Sequence, residues 1–328
     1  MSRRKRTSRG KVILGGVAAG AAVAAVAYAE VITSVVARRR SGFRSRISAK
    51  CTGKSREDVQ NQELKQAAEQ LLSVPTEEVT LVNREGMTLH GHWYHAENPC
   101  RLLILVHGWH SSWNRDFGMT APFYHEQNCE LLLIEQRCHG NSEGTMISYG
   151  DRERHDVLDW LAYARTLHPE LPVYLCGVSM GASTVLLCAG EPIADGVTGI
   201  IADCGYTVPR PVVESSVRRL MGRATPATMV GVETCCRLHG GFSLEECSTI
   251  EALRRNTDIP VFFIHGDADQ LVPYFMTLEN HLACAAPCEL LLVHGAGHAS
   301  AYMTDPDTYQ ARVSAFFAAW DGRLRSKN

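Results

Sequence analysis

The sequence predicts an α/β fold in which a mostly parallel sheet carries helices on both faces. Two observations predict it. Short, continuous apolar runs of strand length alternate with longer segments of helical periodicity, the pattern of strands buried on both faces and joined by helical crossovers. One of these junctions, Pro172–Cys176 into Ala182–Ala189, passes through Gly177-Val178-Ser179-Met180-Gly181. That is a strand–turn–helix context in which a G-x-S-x-G run makes physical sense.

Composition sets the outer bounds. The chain has 328 residues, 45% hydrophobic and 21% charged, enough to bury a full core. A formal net charge of −2 offers no electrostatic footprint for nucleic acid, and none is expected as a partner. Twelve cysteines are scattered without a C-x-x-C. Several, such as Cys176, Cys188 and Cys204, lie in apolar runs where a thiol simply packs, so mostly free thiols are expected, with no metal and no cofactor. His90 and His92 alternate with apolar residues and read as a half-exposed strand face rather than a ligand pair.

The organisation follows from N- to C-terminus. Val12 to Ala29 is almost wholly apolar, with Arg3, Arg4, Lys5, Arg6, Arg9 and Lys11 before it and Arg38, Arg39 and Arg40 after it. A stretch of this kind, extended by Val31 to Ala37, predicts one N-terminal transmembrane helix anchoring the protein through residues 12–37. Ala27-Tyr28-Ala29 would also suit a cleaved signal peptide. Basic residues flank the stretch about equally, so the side of the membrane stays undecided. Residues 1–40 are therefore a basic N-terminus and anchor, and 41–74 a polar linker or helical connector. A catalytic domain is expected over 75–325.

That domain opens with Glu77–Asn83 and Met87–His95, two alternating segments around Arg84-Glu85-Gly86 that predict an antiparallel hairpin. Strands follow at Leu102–Val106, Leu131–Ile134, Val173–Cys176, Gly199–Ala202, Val261–Ile264 and Leu290–Val293. Helices are expected at Arg152–Leu167, Ala182–Ala189 and about Pro306–Trp320. The stretch 208–257 breaks the alternation. It lacks a strand-like run and carries helix formers at Val213–Met221 and Leu244–Leu253, which predicts a helical cap over the strand ends.

The candidate chemistry is nucleophilic. In a strained elbow, the residues two before and two after the serine must lack side chains so that strand and helix can approach, which makes Ser179 the candidate nucleophile. His265-Gly266-Asp267-Ala268-Asp269-Gln270-Leu271-Val272-Pro273 follows the next-to-last strand, and its spacing favours Asp269 as the acid, with Asp267 shaping the turn. Asp203 is held as a backup acid. Gly295-Ala296-Gly297-His298 follows the last strand, and His298 is the candidate base, with His294 as its rival. A histidine ordinarily titrates near about pH 6.5, so a neutral imidazole can take the serine proton. An oxyanion hole needs two main-chain donors, for which the N–H groups of Met180 and Trp109 are the candidates.

These residues amount to a resemblance. The chain resembles the α/β-hydrolases over about residues 75–325, and within them a serine-aminopeptidase-like group with an N-terminal apolar segment. The resemblance rests on His107-Gly108-Trp109, Gln136-Arg137-Cys138-His139-Gly140-Asn141-Ser142-Glu143-Gly144, the elbow, Asp203-Cys204-Gly205, the Asp269 loop and Gly295-Ala296-Gly297-His298. It implies a serine hydrolase that cleaves a small ester or related acyl substrate through an acyl-enzyme on Ser179, with His298 as base and Asp269 as acid. An aminopeptidase or acyltransferase would use the same three residues. The aminopeptidase would need an acidic pocket for the substrate ammonium, for which Glu214, Glu233, Glu245 and Glu246 are candidates. A catalytically inactive, membrane-tethered binding protein is the reading from another class, and it predicts a missing or displaced triad member. The wider family usually has Asp before Arg-Gly where this chain has Gln136, a departure at a structural position. A serine rather than an aspartate nucleophile disfavours haloalkane-dehalogenase chemistry.

Overall fold

The computed structural model describes residues 24–39, 57–192 and 196–322. Eight strands form one sheet: β1 (Glu77–Val82), β2 (Thr88–Tyr94), β3 (Arg101–Val106), β4 (Cys129–Glu135), β5 (Val173–Val178), β6 (Gly199–Asp203), β7 (Val261–Gly266) and β8 (Cys288–Val293). They lie in the order β1-β2-β4-β3-β5-β6-β7-β8. β1 and β2 pair antiparallel, β2 meets β4 antiparallel, and every later pairing is parallel.

The continuous apolar runs are explained by burial on two sides. Along β3, Leu102, Ile104 and Val106 enter one apolar layer while Leu103 and Leu105 enter the other, because successive side chains point to opposite faces. The helix Glu153–Leu167 covers the first layer with Val157, Trp160, Leu161 and Ala164, and the terminal helix Pro306–Trp320 covers the second with Val313, Phe316 and Phe317. β8 departs from the expectation of full burial. As the last strand it has a neighbour on one side only, and Leu292 is 39% exposed. The strands also run one or two residues beyond the apolar runs, since Glu135, Asp203 and Gly266 at their carboxyl ends belong to the ladder.

The cap differs in detail from its sequence pattern. Its helices are Pro209–Met221 and Pro226–Cys235, followed by a π-turn at Cys236–Gly240. Leu244 to Glu246 form a turn rather than helix, and the next helix is Thr249–Arg255, which packs on the helix Met180–Cys188. A charged pair, Glu245 and Glu246, at the expected helix start bonds outward to Arg210 and Arg237 instead. The helix Glu57–Ser73, in the stretch expected as a connector, is docked. Its Leu71 is buried, and the helix lies so close to Trp113–Phe117 that a Cβ on Gly118 would come within 2.8 Å of its backbone. All eleven described cysteines are free thiols.

The expected membrane helix is not supported over its described part. Residues 24–36 are helical, but Ala29, Ile32, Thr33, Val36 and Ala37 are buried against the protein. Small side chains permit this: Gly231 on the cap faces Ala29 so closely that a Cβ there would lie 2.7 Å from the alanine Cβ. Ile32, Val36 and Ala37 share an apolar cluster with Val213, Val217 and Met229 of the cap. No helix among the described residues is long and apolar enough to cross a membrane. Residues 12–23 of the predicted anchor lie outside the described residues.

Candidate active site

Ser179 sits between β5 and the helix Met180–Cys188 with φ 57° and ψ −117°. This is backbone that a side-chain-bearing residue adopts only under strain, at a typical cost of about 1–3 kcal/mol. Both flanking glycines are obligatory. A Cβ on Gly177 would lie 2.3 Å from Gly181 backbone, and one on Gly181 would lie 1.9 Å from the Val106 carbonyl oxygen at the end of β3. The turn is fixed across the sheet by the Ser179 N–H donating to the Asp203 carbonyl at 2.8 Å.

Two loops bring the other candidates to the serine. His298 Nε2 is 2.9 Å from Ser179 Oγ, and its Nδ1 is 2.7 Å from Asp269 Oδ2. Asp269 is saturated with donors. Its Oδ1 accepts the N–H groups of Leu271 (2.8 Å) and Val272 (3.0 Å), and its Oδ2 also faces His265 Nε2 at 3.1 Å. Burial works to raise its pKa, but the hydrogen bonds from His265 and His298 outweigh it and hold the carboxyl well below the ordinary range. Asp269 is thus the anion that the His298 ring leans on.

Three other candidates have different roles. Asp267 accepts the Gly295 N–H at 2.7 Å and meets His294 Nδ1 at 2.8 Å, so this exposed pair locks the turn before His298. Asp203, the backup acid, is buried at the end of β6, and its Oδ1 finds no partner. Burial lifts its pKa to about 6, against the pull of His265, His298 and a Cys204 hydrogen bond. The linkage sign is the reverse of that for Asp269, whose depressed value stabilises above the ordinary carboxylate range. Between the ordinary value of 3.8 and about 6, the folded protein holds a proton on Asp203 that the unfolded chain has released. Stability therefore falls as pH rises through this window, and Asp203→Asn should be more stable than the wild type at pH 7 by roughly 3 kcal/mol, with no advantage at pH about 3.5. Urea unfolding at both pH values checks this; equal gains at the two would refute it.

The loop after β3 lies against the nucleophile: a Cβ on Gly108 would come 3.2 Å from Ser179 Cβ. Several of its N–H groups are engaged. Gly108 donates to Asp116 Oδ2 at 2.6 Å, and His110 donates to His139 Nε2 at 3.0 Å. Among the described residues no acceptor takes the N–H of Trp109, and the N–H of Met180 opens a helix whose first turn has no internal acceptors. These are the two groups expected to face an oxyanion.

The sequence reading passed over the residues that hold this loop. Asp116 also accepts the Ser111 hydroxyl, so one carboxylate ties down both ends of the turn. His107 and His139 each face a backbone carbonyl with Nδ1 and accept a backbone N–H at Nε2, which fixes both as neutral tautomers. His265 had a visible signal, since it stands four residues before Asp269 at a strand end; Asp116 had only its place in the first turn of a short helix. The Cys204 thiol lies near Asp269 and His298. Burial, with Asp203 and Asp269 beside it, drives its pKa well up, so it persists as a thiol.

The sheet order and the matches to solved structures give this chain the α/β-hydrolase fold. The family model for serine aminopeptidases (S33) matches residues 97–238. The uncharacterized protein YqkD of Bacillus subtilis (strain 168) is 29% identical over 188 residues, which are 57% of this chain and 61% of YqkD. The uncharacterized protein YfhR of Salmonella typhi is 22% identical over 69% of this chain and 75% of its own. Among solved structures, the esterase Pf2001 of Pyrococcus furiosus superposes with a TM-score of 0.64 at 21% identity, covering 77% of this chain and 94% of that one. Est1E of Butyrivibrio proteoclasticus, solved with ferulic acid bound, gives 0.57 at 19% identity over 74% and 98%.

Proposed function

We propose that the protein hydrolyses carboxylic esters through an acyl-enzyme on Ser179. The observation that carries the reading is the continuous relay from Ser179 Oγ to His298 Nε2 (2.9 Å) and from His298 Nδ1 to Asp269 Oδ2 (2.7 Å). Ser179 Oγ attacks the ester carbonyl while His298 Nε2 takes its proton. The N–H groups of Trp109 and Met180 receive the oxyanion. Collapse of the tetrahedral intermediate expels the alcohol, protonated by His298, and leaves the acyl-serine. Water, deprotonated by the same nitrogen, then releases the acid and restores the serine. Asp269 holds the imidazole in its working tautomer and stabilises the cation that forms in each half-reaction.

Ester hydrolysis is favoured over aminopeptidase activity by the cap glutamates, which a substrate ammonium would need. Glu214 is paired with Arg218 at 2.9 Å, Glu233 and Glu246 with Arg237 at 2.6 and 2.7 Å, and Glu245 with Arg210. Each is thus held in an ion pair within the cap, with Arg237 shared by two of them. The inactive-scaffold reading is disfavoured because it needs a displaced triad member. A fluorophosphonate should label folded wild type at Ser179 and leave Ser179→Ala unlabelled. Labelling that persists in Ser179→Ala, or none in folded wild type, would defeat the proposal.

A further inference from the structure

The end of the N-terminal helix is bonded into the active-site wall. The last carbonyls of a helix have no internal donors and must find others. Here Val36 O accepts the Trp109 indole N–H at 2.8 Å and the Tyr149 hydroxyl at 2.6 Å, and Val35 O faces His110 Nε2 at 3.2 Å. The chain then runs antiparallel to the loop after β4. Ala37 O accepts the Ile147 N–H at 2.7 Å, and Arg39 donates to the carbonyls of Gly140 and Ser142 at 2.5 and 2.7 Å. Two of the residues that grip the helix, Trp109 and His110, belong to the loop beside Ser179.

Packing leads to the same place. Ile32 and Val36 are 1% and 2% exposed and share one apolar cluster with Met180, whose N–H is a candidate oxyanion donor. Trp109 and Leu271 pack against this cluster and are only partly buried, so it reaches solvent beside the loops that carry the oxyanion donors and Asp269. One apolar cluster thus links Met180, next to the nucleophile, with the N-terminal helix.

We propose that the N-terminal helix is the end wall of the acyl pocket, and that Ile32 and Val36 set the longest acyl chain the enzyme accepts. The inference rests on the acyl-enzyme reading and deepens it: the substrates are esters of short, apolar acids. Because both side chains are fully packed, a longer chain can enter only by displacing the helix, which is held by hydrogen bonds at its last two carbonyls. Pocket discrimination of one methylene is typically 10–200-fold, so removing a few carbons from the wall should be visible in the chain-length profile.

The test compares kcat/KM for p-nitrophenyl acetate, butanoate and octanoate in full-length wild type, Ile32→Ala, Val36→Ala and Val217→Ala, with fluorophosphonate labelling of each. Val217 is buried in the same cluster but on the cap helix Pro209–Met221, so its truncation reports general loosening. The expected result is a preference for acetate over octanoate in wild type, with the octanoate-to-acetate ratio rising about tenfold or more in Ile32→Ala and Val36→Ala and little in Val217→Ala. An unchanged ratio in the labelled wall variants, an equal rise in all three variants, or a wild type that already prefers octanoate overturns the wall. Absence of labelling in folded wild type overturns the acyl-enzyme reading itself, and the wall falls with it.

Discussion

Ser179→Gly should abolish turnover while making the protein more stable. The loss is set by the chemistry: without Oγ no acyl-enzyme forms, and removal of a triad serine typically lowers kcat on the order of 10^6-fold. The gain is set by the backbone. At φ 57° and ψ −117° a Cβ is a steric burden, and the surrounding structure holds it there through the Ser179 N–H bond to Asp203 O and the Ser183 N–H bond back to Ser179 O. Glycine adopts these angles without strain, so about 1–3 kcal/mol is recovered, less the greater entropy that glycine gives the unfolded chain. For a domain of this size each kcal/mol is worth roughly 2–4 °C in Tm. Ser179→Ala separates the two effects, since it removes Oγ but keeps Cβ: it should be as inactive as the glycine variant and melt close to the wild type. A glycine variant no more stable than the alanine variant would mean that the elbow is not strained.

What the sequence could and could not disclose divides along the range of the interactions. The strands β3 to β7 were readable because two-sided burial leaves a local trace, a run of apolar residues ended by a turn. The elbow was readable because its glycines answer to clashes within a few residues and with the adjoining β3. Candidate triad members were readable from their order after successive strands, although whether their side chains converge is a matter of geometry. The anchoring of Gly108 by Asp116 left no such trace, because a carboxylate reaching back eight residues to a backbone N–H has no required spacing. The docking of residues 29–37 on the protein left no local trace for a related reason. A small-residue apolar stretch looks alike whether it meets lipid or a protein surface, and the glycine that admits Ala29 lies about 200 residues away at Gly231. The cap was legible as a break in alternation, but the start of its last helix at Thr249 was missed although Ser248, which accepts the Glu251 N–H, is a local cap signal.

Asp269→Asn should lower kcat about 10^4-fold while leaving the nucleophile in place, the size seen when a triad acid is replaced by its amide. The reason lies in the four donors around this carboxylate. Oδ1 takes two backbone N–H groups and Oδ2 takes two histidine nitrogens. His265 Nε2 also lies 2.9 Å from the Val272 carbonyl, so this nitrogen carries its proton toward both acceptors. An amide offers an acceptor at one position only. With its NH2 toward Leu271 and Val272 it sets donor against two fixed donors; with its NH2 toward the histidines it forces His298 to accept at Nδ1. The proton then moves to Nε2, and the imidazole faces Ser179 Oγ as a donor unable to take the serine proton. Either orientation also removes the charge that balances His298 once protonated. The variant should lose the part of acid stability that Asp269 supplies, which in wild type is present above the ordinary carboxylate range and fades as pH falls below it. Steady-state kinetics on a p-nitrophenyl ester and urea unfolding at pH 4 and 7 measure both effects. A fall in kcat of less than tenfold would show that Asp269 is not the residue that sets the His298 tautomer, and would return attention to Asp203, the other carboxylate near the ring.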